Sequence, residues 1–487
     1  MSINEVVIRA AASGKLVSFG FTDHALLVKS TDPKLSLEVP HRQVLSAAFA
    51  EGNRSLKVSY LAKKKKGCHS LVNYEGEVQD AESQAVVEWV EKVMDAAYEG
   101  LGIKRARKLK VLVNPHGGRR KAPIVFTKTV EPILRTAGCV LDVHYTTHGG
   151  HAYDIAKELP LEYDAVVTVS GDGLVHEVIN GFAHHAKPLL AFKTPIAPIP
   201  TGSGNGLALN LLGIEDGLDV AAAALNIVKS QSMKVDIFSI TQGGKRTFSF
   251  MSQALGLMAE LDVGTDHLRW MGEARFTYGL IRGILQFKPC PIQLSVKIAE
   301  HDKSRMAEAL QEKQRRDDRS VVSAPLPDET SEEESALPSS SISMDDTDGW
   351  TTIEEPLLYV YAGKGPYVAR DFMAFPVSLP NDGLIDVVAQ PASSRGEIFK
   401  EMPGAAKGEP YWNVNLKYMK AHAYRVKPLS SKGCLAVDGE VFPFEEFQVE
   451  VHPGLATLLS PHGFYAAEFD VRRASKTSAN SKPMNEH

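Results

Sequence analysis

Cysteine is scarce in this chain. Its 487 residues include four, Cys68, Cys139, Cys290 and Cys434, widely spaced and never as CxxC. That excludes a disulfide framework and a thiolate zinc site, and it fits a reducing, cytoplasmic setting. Long apolar runs are missing too: none reaches the roughly 20 residues of a membrane span. The opening MSINEVVIRA lacks the basic-then-apolar layout of a leader peptide. Any membrane contact is therefore expected to be peripheral. Positive charge is not in excess, with 54 Lys and Arg against 59 Asp and Glu, so nucleic acid is not an expected partner. No P-loop pattern GxxxxGK[ST] occurs, and there is no internal repeat.

What is present divides by texture, and the length suits two or three domains. In residues 1–100, short segments such as LVSFGFT, ALLVKS, LSLEVP, LKVSYLA and SLVNYEG read as strands. They are followed by AESQAVVEWVEKVMDAAYEG, with Val86, Val87, Val90, Val93, Met94 and Ala97 at helical spacing. Strands closed by one amphipathic helix containing Trp89 resemble a pleckstrin-homology-like domain. The run Lys63 to Lys66 suits either a hairpin tip on anionic lipid or a solvated loop.

From residue 107 to 235, LKVLVNPHGG, VLDVHYTT, AVVTVSGDG and PLLAFKTPIAPIPTGSGNG each end an apolar run in a polar or Gly-rich stop. Helical stretches lie between, for example Phe126 to Ala137 and His151 to Leu159. This alternation predicts a mainly parallel sheet covered on both faces, with ligands at the carboxyl ends of its strands. Residues 236–465 read as a second, mainly antiparallel β-rich unit. Within it, residues 302–352 are expected to be a disordered insertion, because 320–349 hold eight serines, eight acids and no Lys or Arg. That segment suits a passive spacer or a phosphorylated one. Residues 473–487 read as a disordered tail.

Three loops carry the chemistry. NPHGG ends the first strand of the α/β unit, and Arg119, Arg120 and Lys121 follow; it is either a phosphate-facing loop or a basic turn. SGDGLVHEVING follows a buried strand and opens a helix, so Asp172 stands at a helix N-terminus between Gly171 and Gly173. An acid there suits a metal bridged to phosphates, or a base for an attacking hydroxyl; an ordinary N-cap is the plainer reading. His176 reads as a surface or hydrogen-bonded residue. PTGSGNGLA offers backbone N–H groups and the Ser203 hydroxyl before a helix starting near Leu207.

In this order and spacing, NPHGG, SGDGLVHEVING and PTGSGNGLA resemble the catalytic domain shared by diacylglycerol and sphingoid lipid kinases. The resemblance runs from about Lys108 to Arg282 and resumes from about Pro356 to Pro461. It implies an α/β, two-lobed lipid kinase with a nucleotide-binding lobe and a mainly antiparallel β lobe, using ATP and Mg²⁺. Asp172 takes the catalytic place. The nucleotide falls to Asn114, Gly117, Gly118, Arg119, Lys121, Thr147, Ser170, Gly171, Gly173, Glu177, Gly202, Ser203, Gly204 and Asn205, with Arg269, Arg275, Asp438, Gly439 and Glu440. No residue ligates the metal directly; it is expected near Asp172 and Asp438, held through ATP and water. Asp382 and Asp386 in NDGLIDVV read as structural. In one departure, Arg120 stands where many family members have a second glycine.

The stretch ALGLMAELDVGTDHLRWMGEARFTYG resembles the headgroup segment of sphingosine, or long-chain-base, kinases. It places Asp262 at the lipid headgroup, with Glu260 assisting if the segment is a strand. A carboxylate suits a substrate with an ammonium group, whereas ceramide or diacylglycerol would leave it uncompensated. A salt bridge to Arg269 or His267 is the structural alternative for Asp262. Phe276 to Phe287 suits either a tail-pocket wall or core packing. The implied partners are a sphingoid base and a peripheral membrane surface, intracellular or plasma; oligomeric state stays open. Two other functions compete: a ceramide or diacylglycerol kinase, and an inactive membrane-binding adaptor.

Overall fold

The structure is a computed structural model that describes residues 3–30, 36–63, 67–118, 120–264, 278–279, 281–283, 288–319, 336–338, 342–343, 346–392, 396 and 402–471. Arg119, Lys64 to Lys66, Arg269, Arg275, most of Phe276 to Phe287 and the tail 473–487 lie outside the described residues.

The chain opens with seven antiparallel strands, β1 (Glu5–Ala10), β2 (Leu16–Phe21), β3 (Ala25–Ser30), β4 (Ser36–Pro40), β5 (Val44–Ala50), β6 (Ser55–Lys63) and β7 (His69–Gln79), in the order β4-β3-β2-β1-β7-β6-β5. Helix α1 (Ser83–Ala97) follows, burying Val86, Trp89, Val93 and Ala97 along one stripe. Val87 and Val90 are only half-buried, so the stripe centres on Trp89. This sheet and its helix fit the small β domain that the sequence suggests.

The α/β lobe is built on parallel strands β8 (Lys108–Val113), β9 (Val140–Tyr145), β10 (Ala165–Ser170) and β11 (Ile196–Pro200), ordered β11-β10-β8-β9. Every residue of β10 is buried. A strand covered on both faces needs an unbroken apolar run, and AVVTVS supplies one. The crossovers are a continuous helical stretch, α2 (Ala122–Val125), a π turn (Phe126–Val130) and α3 (Glu131–Thr136); then α4 (His151–Lys157), α5 (Asp172–Ala183), α6 (Pro188–Ala191), α7 (Gly206–Asp216) and α8 (Val220–Lys229). Asp219 caps α8 through the N–H groups of Ala221 and Ala222.

The second lobe is antiparallel: β12 (Gln231–Gln242), β13 (Lys245–Ser249), β14 (Ser252–Gly256), β15 (Ile292–Glu300), β16 (Thr351–Ile353), β17 (Leu357–Gly363), β18 (Tyr367–Ala369), β19 (Phe372–Met373), β20 (Ile385–Pro391), β21 (Lys417–Pro428), β22 (Leu435–Val437), β23 (Glu440–Phe442) and β24 (Phe447–Ser460). Strand β24 pairs with β12 and also meets β11, so the sheets of both lobes run into one another. Helix α9 (Leu257–Gly264) follows β14.

The expected disorder from residue 302 is corrected. Lys303–Arg319 form a helix that buries Met306, Ala307 and Leu310 against Tyr411 and Tyr418. Three buried apolar residues in a highly charged run are enough to seat a helix, and its six Lys and Arg set it apart from the segment that follows. At the far end, β16 pairs with β15. Arg246 donates to the Pro338 carbonyl, and Arg425 donates to that of Asp346 while lying 3.9 Å from the centre of the Trp350 ring.

The Asp382 and Asp386 carboxylates belong to a buried network. Lys364 pairs with Asp236 at 2.8 Å and with Asp382; Lys420 pairs with Asp382 and Asp386. Lys63 is 2.7 Å from Asp216 of α7, so the first member of the lysine run is committed to the α/β lobe.

Candidate active site

The three glycine loops leave the carboxyl ends of β8, β10 and β11 and meet in backbone contact. The Asn114 N–H donates to the Val169 carbonyl, Thr201 N–H to Ser170 and Asp172 N–H to Gly204. A methyl group on Gly202 would collide with the Cα of Gly171, and one on Gly118 would lie 2.8 Å from the Thr201 oxygen. Glycine is needed here so that three backbones can touch. Two asparagines tie the outer loops: Asn114 Oδ1 accepts from His116 and Gly117, and Asn205 closes on both backbone groups of Gly202. Arg120 takes φ +57°, the left-handed conformation that a glycine would take at this place.

Asp172 is 7% exposed. Its carboxylate accepts from the N–H groups of Gly206 at 2.7 Å and Leu207 at 3.1 Å, the first turn of α7. The SGDG loop is thereby bolted to the helix after TGSGN. Burial pushes this carboxyl up to about 6, against the lowering effect of its two backbone donors, and the charge of Asp438 adds to the rise.

Asp438 reaches the same junction from the β22–β23 turn, at φ +48°. Five donors converge on its carboxylate: Ser249 Oγ, the N–H groups of Phe250, Met251 and Ser252, and His176 Nδ1 at 2.8 Å. A carboxylate offers about four lone-pair sites, so Asp438 has no oxygen left for a metal. His176 is held above the ordinary imidazole value: burial works against its charge, and the contact with Asp438 outweighs it. Glu440 differs from both acids. It is exposed, and its Oε1 lies 3.2 Å from where a Gly173 methyl would stand.

The family model for the diacylglycerol kinase catalytic domain matches residues 108–240. Sphingoid long chain base kinase 4 of Schizosaccharomyces pombe is 33% identical over 379 residues, covering 77% of this chain and 79% of its own. The chain belongs to the sphingoid long-chain-base kinase family. Sphingosine kinase 1 of Arabidopsis thaliana is 28% identical, covering 74% of this chain and 77% of its own. Human sphingosine kinase 1 is also 28% identical, over 75% and 94%. A solved Bacillus anthracis structure assigned to the diacylglycerol kinases shares the fold at TM-score 0.50 and 19% identity, over 73% of this chain and 96% of that one.

For this long-chain-base kinase, the structure brings together Asn114, Gly117, Gly118, Ser170, Gly171, Asp172, Gly173, Gly202, Ser203, Gly204 and Asn205 on one rim, with Asp438, Gly439 and Glu440 facing them from the second lobe. Lys121 and Thr147 are exposed on the same side of the sheet. Glu177 is engaged elsewhere: its carboxylate accepts from the Ala152 N–H at the start of α4. Glu260 and Asp262 lie on helix α9 and not on a strand. Residues two apart on a helix do not share a face, so the assisting role that rested on a strand has no geometric basis. Ser249 and Asn180 are residues that sequence reasoning passed over, and His176, expected to be a surface or hydrogen-bonded residue, is hydrogen-bonded to Asp438. His176 and Asp438 are 262 positions apart, and no spacing pattern reports a pair of that kind.

Proposed function

We propose that this lipid kinase transfers the γ-phosphate of ATP to the primary hydroxyl of a sphingoid base, giving the sphingoid base 1-phosphate. The observation that carries the reading is Asp172: a buried carboxylate, pushed up to about 6, where three backbone loops converge. A base poised near neutral pH suits removal of a proton from an attacking hydroxyl. The glycine loops would present N–H groups to the phosphates, with Ser203 and Asn114 beside them. Asn205 would hold the TGSGN loop in shape.

The donor set fits Mg²⁺ held through the nucleotide and water. Asp438 already has its oxygens engaged by five donors, Asp172 accepts from two backbone N–H groups and keeps capacity for a proton, and Glu440 is open at the rim. When bound, the ion neutralises charge on the transferred phosphoryl group. Arg269 and Arg275 would add positive charge beside it. Asp262 would pair with the substrate's ammonium group, which ceramide and diacylglycerol lack. A lipid substrate calls for work at a membrane surface, and no described helix is long and apolar enough to cross a membrane.

The test offers sphingosine, ceramide and diacylglycerol in turn to the purified chain with Mg·ATP. Phosphate should enter sphingosine, and Asp262→Ala should impair that activity selectively. Preferred transfer to ceramide or diacylglycerol would overturn the assignment. No transfer to any lipid, together with undetectable Mg·ATP binding by calorimetry, would favour the adaptor reading.

A further inference from the structure

Asp172, His176 and Asn180 lie four residues apart on α5, one above another on the same face. The first belongs to the loop cluster, and the other two reach into the second lobe. His176 Nδ1 donates to Asp438 Oδ2 at 2.8 Å, with side chains 12% and 0% exposed. Asn180 grips both edges of Phe248: its Oδ1 accepts the N–H at 2.9 Å, and its Nδ2 donates to the carbonyl at 2.8 Å. Asp438 in turn gathers Ser249 Oγ and the next three backbone N–H groups, the turn between β13 and β14. Strand β14 runs directly into α9, which carries Glu260 and Asp262. The path from the acid of one lobe to the headgroup segment of the other therefore crosses the short His176–Asp438 contact, beside the Asn180 bonds to Phe248.

We propose that His176, acting through Asp438, is a positioning residue that latches the helix bearing Asp172 to the β13–β14 turn and so sets the acid's place relative to the acceptor lobe. The proposal rests on the kinase reading above. Without the imidazole, Asp438 keeps four donors and Asn180 keeps both bonds to Phe248, so the fold survives. What goes is the one side-chain contact that ties the Asp438 carboxylate to α5. A small misplacement of a base costs rate far more than it costs binding.

The experiment compares His176→Ala and His176→Asn in the full chain. The Asn amide Nδ2 takes the place of the ring Nδ1 and keeps the donor. In His176→Ala, kcat for sphingosine should fall about 10- to 100-fold while KM for ATP stays within about threefold. His176→Asn should recover most of that loss. Hydrogen exchange at the amides of Phe250 to Ser252 should quicken in the Ala variant and stay near wild type in the Asn variant. Wild-type kcat in His176→Ala, equal loss in both variants, or unchanged exchange would overturn the latch. If the wild-type chain phosphorylates no lipid, the kinase reading fails and exchange alone decides.

Discussion

At the scale of single residues, Asp172 sets stability against chemistry. Its folded-state carboxyl titrates at about 6 against an ordinary 3.8. Between those values the folded chain holds a proton that the unfolded chain has released, so stability falls as pH rises through that window and stays low above it. The difference corresponds to a cost of about 3 kcal/mol at neutral pH. Asp172→Asn should therefore abolish turnover, and although its amide oxygen can accept from only one of the Gly206 and Leu207 N–H groups, its Tm relative to the wild-type chain should rise steadily from pH 4 to pH 6. Thermal scans across that range, beside a turnover assay, check both halves. A Tm difference that stays constant over this range, or a nearly fully active variant, would refute the account. The wild-type rate should also lose one proton's worth of activity below about pH 6. A second change probes the backbone contact: Gly202→Ala, placing a methyl against Gly171, should cost about 100-fold in turnover with the far-ultraviolet spectrum unchanged. The loops and their acid were legible because glycines and a lone carboxylate leave a local pattern. The five donors around Asp438 were not, since they come from two segments, both far from it in the chain.

At the scale of elements, the apolar run AVVTVS and the strand–helix alternation announced the parallel sheet. The Lys303–Arg319 helix went unannounced, because its membership depends on a surface found elsewhere in the chain. Only Met306, Ala307 and Leu310 mark it, and they meet Tyr411 and Tyr418 from over a hundred residues away. A charged helix seated by so few contacts concentrates its stability in them. Met306→Ala should destabilise the chain by about 2 to 4 kcal/mol, whereas Glu308→Ala, exposed on the same helix, should stay within about 0.5 kcal/mol. Urea denaturation of the two variants makes the comparison. Equal effects would mean that the helix is not part of the lobe's core. Segment α9 shows the opposite failure: it was weighed as a strand, and the helical register separates Glu260 from Asp262.

At the scale of the whole molecule, the small β domain is fused to the α/β lobe and not strung beside it. One hydrophobic cluster runs from Val6 and Trp89 through Val111 and Ile133 to Ala224. Polar ties follow the same seam: His69 pairs with Asp219 at 2.8 Å, and Arg42 donates to the Ser230 hydroxyl at 3.3 Å. Composition could divide the chain at residue 100, but it could not show that both sides share a core. Lys229, 1% exposed at the end of α8, reports on the seam directly. Its Nζ donates to the Ala97 carbonyl at 2.8 Å and stands 3.0 Å from the centre of the Tyr98 ring. Both contacts favour a charged amine, yet burial outweighs them and brings Lys229 down to about 6 from 10.5. Between those values the unfolded chain binds the proton and the folded chain does not, so this residue makes stability rise with pH. From pH 7 to 9 the contribution is about 3 kcal/mol. Lys229→Met should remove that slope, so that the stability difference between the two proteins changes steadily over this range. Denaturant midpoints at pH 7, 8 and 9 measure it. A constant difference would show that Lys229 stays charged in the folded chain, with the ring and the carbonyl outweighing burial at the seam.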